Sequence, residues 1–270
     1  MLLSTLNRTT SIQSTMLERL ATGKTINRAA DNPAGLFLAT GLYSQIRGDT
    51  QISQGIQLAN NMLSMADNSL STVNDSLQQI RDLAMTSANG IYSDDARAAL
   101  QNQVNQLYGQ ISQTVANTKL NDKQLLYTQQ DGDPQQSIDI YVATGNGTSS
   151  YVSYNASLNL GNPVDISTQD SAAAALDTID SQIKSVVGKQ AEIGVQSNIL
   201  DGIYNSNQIT LENLNQSYST IMDTDYANVV SELKKSSLLQ SVATNMFSIH
   251  LKSAKTLLGL ILPKLPQHAI

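Results

Sequence analysis

The chain has 270 residues, a formal charge of −6 and neither cysteine nor tryptophan. Charged residues make up only 14% of it, against about 25% in an average soluble domain, while Asn, Gln, Ser and Thr fill about 37% and supply the polar surface instead. These figures exclude a disulfide scaffold, a thiol nucleophile and a cysteine-built zinc site, and a pI near 4.8 opposes general nucleic-acid binding.

The two histidines, His250 and His268, leave no partners for a histidine metal centre or a Ser-His-Asp triad. No run approaches the ~20 apolar residues of a membrane span. The opening lacks a charged region followed by an apolar one, so no cleavable secretory signal and no stable membrane insertion are expected. With 40% hydrophobic but only 4% aromatic residues, thin packing sealed by Leu, Ile, Val and Ala is expected.

In chain order, Met1 to Asn27 reads as an amphipathic helix with Leu2, Leu6, Met16 and Leu20 on one face. Ala21-Thr22-Gly23-Lys24-Thr25 ends like a phosphate-binding loop, but Glu18 stands where that motif needs glycine and no buried strand precedes it. From Ile56 a stripe runs through Ala59, Leu63, Ala66, Leu70, Val73, Leu77, Ile80 and Ala84. Its steps alternate between three and four residues, as in a coiled coil. Asn89-Gly90 signals a turn, and Ser93-Asp94-Asp95 offers a fresh N-cap. A shorter seam follows at Leu100, Val104, Leu107, Ile111 and Val115, and residues 117–126 break the rhythm.

Between the helices, Ser137 to Val142 alternates polar and apolar, Gly145-Asn146-Gly147 makes a turn, and Tyr151 to Tyr154 resumes the alternation, which predicts a β-hairpin. The strongest periodicity then runs from Ala172 through Ile179, Val186, Ile193, Leu200 and Leu211 to Ile221, with Asp170-Ser171 as a cap and Gln190, Ser197 and Asn207 as polar seam positions. Proline is absent between Asp165 and Leu262, which permits long helices. The final stretch, Asp225 to Ile270, is amphipathic but poorly sealed, with five lysines and no acid beyond Glu232. The expected fold is mostly α: a long antiparallel coiled-coil rod of N- and C-terminal helices with a small β-hairpin insert.

Glu18-Arg19-Leu20-Ala21-Thr22-Gly23-Lys24-Thr25-Ile26-Asn27-Arg28-Ala29-Ala30-Asp31-Asn32-Pro33-Ala34-Gly35-Leu36 closely resembles a stretch of bacterial flagellins. Leu77 to Met85 followed by Ala88-Asn89-Gly90, Ile221 to Ala227, and Thr256 to Ile261 are similar to three further flagellin segments, in the same order. The resemblance spans essentially the whole chain, with the variable centre reduced to residues near 129–168. Two differences stand beside it: the chain opens later than flagellins usually do, and Leu262 to Ile270 runs past their usual apolar end.

The resemblance implies a structural subunit of the flagellar filament, exported through the flagellum-specific type III route, extracellular, with no enzymatic activity and no cofactor. It implies two parts. Residues 1–30 with 224–270 would form a terminal coiled coil in the inner filament layer; residues 31–223 would form an α-rich domain carrying the insert. Large outer domains would be missing. Implied partners are other copies of the chain, an export chaperone, and junction and cap proteins. The implied assembly interface comprises Leu2, Leu6, Met16, Leu20, Leu233, Val242, Leu257, Leu258 and Leu260. A further segment, Leu77, Gln78, Gln79, Arg81, Asp82 and Leu83, resembles the stretch that animal Toll-like receptor 5, an innate immune receptor, recognises on many flagellins. Gln79 replaces the arginine found there, so weak or absent binding is expected. A related junction protein, or another secreted coiled-coil adaptor that does not polymerise, is the alternative.

Overall fold

The computed structural model describes residues 2–128, 136–142 and 150–261, the side chains of residues 2, 3 and 259–261 excepted. The described residues form five helices, α1 (Leu2–Thr22), α2 (Pro33–Ser87), α3 (Asp94–Asn117), α4 (Gln169–Met222) and α5 (Tyr226–Ile261), with six short strands between α3 and α4. It divides into two compact units, residues 46–212 and residues 1–45 with 213–270.

Within residues 46–212, α2 and α4 run antiparallel, as cross-helix hydrogen bonds at regular intervals show. Arg81 Nε donates to Asp180 (2.7 Å), Gln190 to Asp67 (3.2 Å), Asn60 to Asp201 (2.7 Å), and Gln57 to the hydroxyl of Tyr204 (3.0 Å). Between these flanking pairs lies the expected stripe. Ile56, Leu63, Leu70, Leu77 and Ile80 on α2, with Ile179, Val186, Ile193 and Leu200 on α4, are all buried in one core. Gln190, Ser197 and Asn207 stay at seam positions, and Asn207 shows how a polar one is satisfied: its amide donates to the backbone oxygen of Asp49 (2.7 Å) and to Ser53 (2.9 Å).

The α2 helix begins at Pro33, well before the apolar stripe at Ile56. Asn32 caps it by accepting from the backbone N–H of Gly35 (2.9 Å), and proline at the first helical position loses no bond. Upstream of Ile56 the buried positions of α2 are Gly35, Ala39, Asp49 and Ser53, two of them polar and none a large apolar residue, so the apolar stripe does not announce this part of the helix. The cap of α4 also differs from expectation. Thr168, not Asp170-Ser171, precedes the helix; its hydroxyl accepts from Ser171 N–H while the Ser171 hydroxyl accepts from Thr168 N–H, a reciprocal capping box. Ser93 caps α3 as expected, accepting from Ala96 N–H.

Residues 117–126 contain a tight hairpin. Strands β1 (Lys119–Leu120) and β2 (Lys123–Gln124) pair across Asn121 and Asp122, both at positive φ (51° and 64°), the signature of a two-residue type I′ turn. The larger hairpin forms where the alternation places it: β4 (Ser137–Tyr141) pairs antiparallel with β5 (Tyr151–Asn155) in the register Ile138↔Tyr154 and Ile140↔Val152. Its Gly145–Gly147 turn lies outside the described residues. A two-residue parallel pair, β3 (Tyr127–Thr128) with β6 (Ser157–Leu158), completes the insert.

Two polar residues on α4 fasten this insert. Gln182 is buried and donates to the carbonyls of Leu160 (2.5 Å) and Asn162 (3.3 Å), while its oxygen accepts from the hydroxyl of Tyr108 (2.8 Å). Desolvation raises the pKa of that phenol above its usual value. One heptad on, buried Lys189 donates to the Asn155 carbonyl (3.1 Å) and Glu192 (2.6 Å). The α4 helix thus carries two buried rows, one against α2 and one, through Ala175, Gln182 and Lys189, against the insert.

Candidate assembly surface

In residues 1–45 with 213–270, α1 and α5 pair antiparallel. Ser236 donates to the Thr9 carbonyl (3.4 Å), and Gln240 lies 3.5 Å from the Thr10 hydroxyl. Among the less exposed positions, one row of α1 is Leu6, Thr9, Gln13, Met16 and Leu20, flanked by Thr15, Glu18 and Arg19, and the row of α5 is Val229, Leu233, Ser236, Gln240, Ala243 and Phe247. Both sets step by three and four, the spacing of a coiled-coil seam. Several of these positions are hydroxyls or amides, so the seam buries little apolar area.

The pair is anchored where each helix meets its neighbour in sequence. Gly23 ends α1 at φ 70°, donating back to the Arg19 carbonyl (2.8 Å). A side chain there would crowd the Tyr226 hydroxyl, so glycine suits both the turn and the space. Lys24 then forms an antiparallel bridge with Asp223: Thr25 N–H donates to the Met222 carbonyl (2.6 Å) and Thr224 N–H to the Gly23 carbonyl (2.9 Å). The Thr25 hydroxyl adds a bond to the Asp223 carbonyl (2.8 Å). Asp31 holds the next turn by accepting from the N–H groups of Asn27 and Arg28 (both 2.9 Å), which lowers its pKa below the usual carboxylate value. A small cluster of Ile26, Leu36, Ala39, Tyr218, Ile221 and Met222 packs beside the bridge.

The rest of α5 is left open. Leu238, Val242, Met246, Ile249 and Leu257 are exposed and recur at helical spacing on a sector separate from the seam. The remaining sector carries Lys234, Ser241, Thr244, Ser248, Lys252 and Lys255. So α5 has three faces: one against α1, one apolar and unpartnered, and one polar with only positive charge. Leu258 is also exposed, and it continues the line of the seam positions beyond Phe247.

The residues expected at an assembly interface therefore separate. Leu6, Met16, Leu20 and Leu233 lie on the pairing between α1 and α5, whereas Val242, Leu257 and Leu258 are exposed. The side chains of Leu2 and Leu260 lie outside the described residues. The expected receptor-facing segment also separates. Gln78, Gln79 and Asp82 are exposed, but Leu77 is fully buried in the core and cannot face a receptor, because it occupies a seam position of α2. Arg81 is engaged with Asp180, and Leu83 is half-buried against the core. Among the described residues no group of three or more acids or histidines could hold a metal ion, and no helix is long and apolar enough to cross a membrane.

The family model for the bacterial flagellin N-terminal helical region matches residues 1–131, and that for the C-terminal helical region matches residues 176–261. The chain belongs to the bacterial flagellin family. Similar flagellins and filament proteins cover nearly its whole length. Flagellin FlaB1 of Treponema pallidum is 29% identical over 91% of each chain, the flagellar filament 33 kDa core protein of Treponema phagedenis 28% over 94% of each, and a Bacillus subtilis flagellin 26% over 91% of this chain and 92% of that one. Two solved structures share the fold. The crystal structure of Bacillus cereus flagellin covers 57% of this chain and is covered to 88%, with a TM-score of 0.50 at 23% identity. A Vibrio parahaemolyticus structure assigned as a flagellar hook-associated protein covers 72% and is covered fully, at 0.60 and 18%. The expected fold class, mostly α with paired long helices and a small β insert, is borne out.

Two features of this flagellin escape sequence reasoning. Gln182 and Lys189 repeat at seven residues with Ala175, but a polar residue at a heptad position reads as surface. Arg97 looks like an ordinary solvated base, yet it is buried beneath the α2–α3 turn, donating to the carbonyls of Ser87 (2.6 Å) and Asn89 (3.1 Å).

Proposed function

We propose that the chain is a structural subunit of a bacterial flagellar filament, built from many copies of itself. The observation that carries this reading is the unpartnered apolar face of α5 beside its narrow seam with α1. Such a face on a soluble chain calls for a cover, and heterologous contacts between identical subunits propagate into an open helical polymer. The filament names of its relatives support the same reading. Residues 1–30 with 224–270 would supply the inner layer and residues 31–223 the α-rich layer around it. Export through the type III route, an export chaperone, junction and cap partners and a place in the flagellum outside the cell belong to the same proposal.

Assembly also completes the terminal helices. The seam between α1 and α5 holds Thr9, Gln13, Ser236 and Gln240, and its apolar area offsets little of the ~1–2 kcal/mol per residue lost on ordering backbone. Neighbouring copies would supply the remaining contacts. Electron microscopy of the polymerised full-length protein tests the reading. Helical filaments are expected; a preparation that stays monomeric or dimeric under every polymerising condition would overturn it in favour of an adaptor.

Receptor recognition should be weak. Gln79 is exposed where a guanidinium would lend a fixed, charged fork, and a neutral amide does not replace it. In a Toll-like receptor 5 reporter assay, Gln79→Arg should raise potency above the parent. Full potency of the parent, with no gain from the substitution, would count against this.

A further inference from the structure

The turn between α2 and α3 holds a reactive pair. Asn89 and Gly90 are both exposed and lie outside either helix, and among the described residues no other asparagine precedes a glycine. Gly90 does not sit at positive φ, and a Cβ there would meet only the side chain of Gln169, at an ordinary 3.6 Å. Neither the backbone nor the space therefore calls for glycine. What glycine supplies is an uncrowded backbone nitrogen directly after an asparagine side chain.

Hydrogen bonds are spread unevenly around this pair. The Gly90 N–H and the side-chain NH2 of Asn89 have no hydrogen-bond partner among the described residues. Both oxygens of Asn89, by contrast, are held by donors. Oδ1 accepts from Ile91 N–H (3.3 Å). The backbone carbonyl accepts from Tyr92 N–H (3.3 Å) and from Nη2 of Arg97 (3.1 Å). Arg97 is 3% exposed and gives Nη1 to the Ser87 carbonyl (2.6 Å), with no carboxylate partner among the described residues. Its charge bears on the peptide that joins Asn89 to Gly90. The neighbouring carboxylates of Asp94, Asp95 and Asp170 are exposed, where water weakens their effect on that charge.

These bonds favour the charges that form when the nitrogen of one residue attacks the side-chain amide before it. Loss of the Gly90 proton leaves an anion shared between that nitrogen and the Asn89 carbonyl oxygen. A buried guanidinium on this oxygen stabilises the anion. Attack at Cγ then puts charge on Oδ1, where Ile91 N–H already donates.

We infer that Asn89 is a site of spontaneous deamidation in the folded chain, with Gly90 as nucleophile and Arg97 as the group that activates it. The Gly90 nitrogen, its proton passed to water, forms a bond to Cγ of Asn89. The Cγ–Nδ2 bond breaks, and ammonia leaves with a proton taken from water. Water then opens the cyclic imide at either carbonyl. The aspartyl product places a negative charge on the turn. The isoaspartyl product routes the main chain through the former side chain and leaves the old backbone carbonyl as a carboxylate, the partner that buried Arg97 lacks. None of this depends on the reading of the chain as a filament subunit.

The full-length chain is incubated, folded, at mildly alkaline pH beside the same chain unfolded in guanidinium chloride, and peptide mass spectrometry follows the acid formed at Asn89. A folded backbone usually slows such a closure by holding the reacting atoms apart. Here the folded chain should react at least as fast as the unfolded one. Gly90→Ala should slow the reaction about tenfold or more, because its Cβ crowds the attack, with unchanged circular dichroism. Arg97→Lys keeps a cation without the fixed fork, and should slow the folded chain while leaving the unfolded rate as it was. A folded rate well below the unfolded one overturns the inference. So does a folded Arg97→Lys chain that reacts as fast as the parent or faster, since the turn would then restrain Asn89. Should Arg97→Lys fail to fold, the comparison of folded with unfolded parent still decides.

Discussion

The α2–α4 seam and the α1–α5 seam use the same heptad spacing and reach opposite results. Between α2 and α4, within residues 46–212, the spacing is filled by Ile, Leu and Val that are excluded from solvent, and a third helix and the insert cover the flanks. Between α1 and α5 it is filled by Leu6, Thr9, Gln13, Met16 and Leu20 facing Leu233, Ser236 and Gln240, and most of these stay half-exposed. Spacing therefore decides which residues meet, and residue type decides whether meeting suffices. One seam is sealed from solvent within the chain; the other leaves most of its positions half-exposed.

Truncating the sealed seam should have the largest effect. Leu70→Ala removes a fully buried side chain and should cost about 3–4 kcal/mol, visible as a large drop in the main thermal transition. Leu211→Ala, slightly exposed, should cost less. Unchanged midpoints for both would show that α2 and α4 are not the stabilising pair.

An equivalent cut in the open seam should be smaller and local. Met16→Ala should leave the main transition in place and cost about 1–2 kcal/mol within α1, read as faster amide exchange and faster protease trimming of both terminal helices. A main transition lowered as far as by Leu70→Ala would erase the distinction between the seams.

The smallest effect concerns Asp49, a carboxyl buried on α2 beside Ser53, whose pKa desolvation raises. Because the folded state holds this proton more tightly than the unfolded state, its contribution to stability is present in acid and is lost as pH rises through the raised value. Asp49→Asn should therefore stabilise modestly at neutral pH, and the advantage should fade as pH falls towards the ordinary carboxylate range. Equal midpoints at neutral pH would place the carboxyl in water.

Much of this was legible beforehand, for a physical reason: long stripes of Leu, Ile and Val at alternating three- and four-residue steps leave few alternatives to paired helices. The β4–β5 register was readable from Ile138, Ile140, Val152 and Tyr154 in the same way. What stayed hidden was polar. The part of α2 just before the stripe has Asp49 and Ser53 at buried positions, and Asn121-Asp122 forms a turn without the glycine that usually marks one. Gln182 and Lys189 are buried against carbonyls twenty or more residues away, and Arg97 against carbonyls of the turn before its own helix, which no heptad or alternation pattern encodes. Leu77 is buried while its neighbours Gln78 and Gln79 are exposed, because successive helix positions face different directions, which a contiguous motif does not express.

The bridge between Lys24 and Asp223 has a consequence for the order of folding. Without it, bringing α1 to α5 would close a loop of nearly the whole chain, at an entropic cost on the order of 3–4 kcal/mol beyond that of a short turn. Once Leu36 and Ala39 have met Tyr218 and Met222, Gly23 and Thr224 are already hydrogen-bonded neighbours. Pairing of the terminal helices then starts from a closed end and proceeds residue by residue, as in a hairpin. Two segments more than two hundred residues apart in sequence thereby behave, kinetically, as adjacent ones.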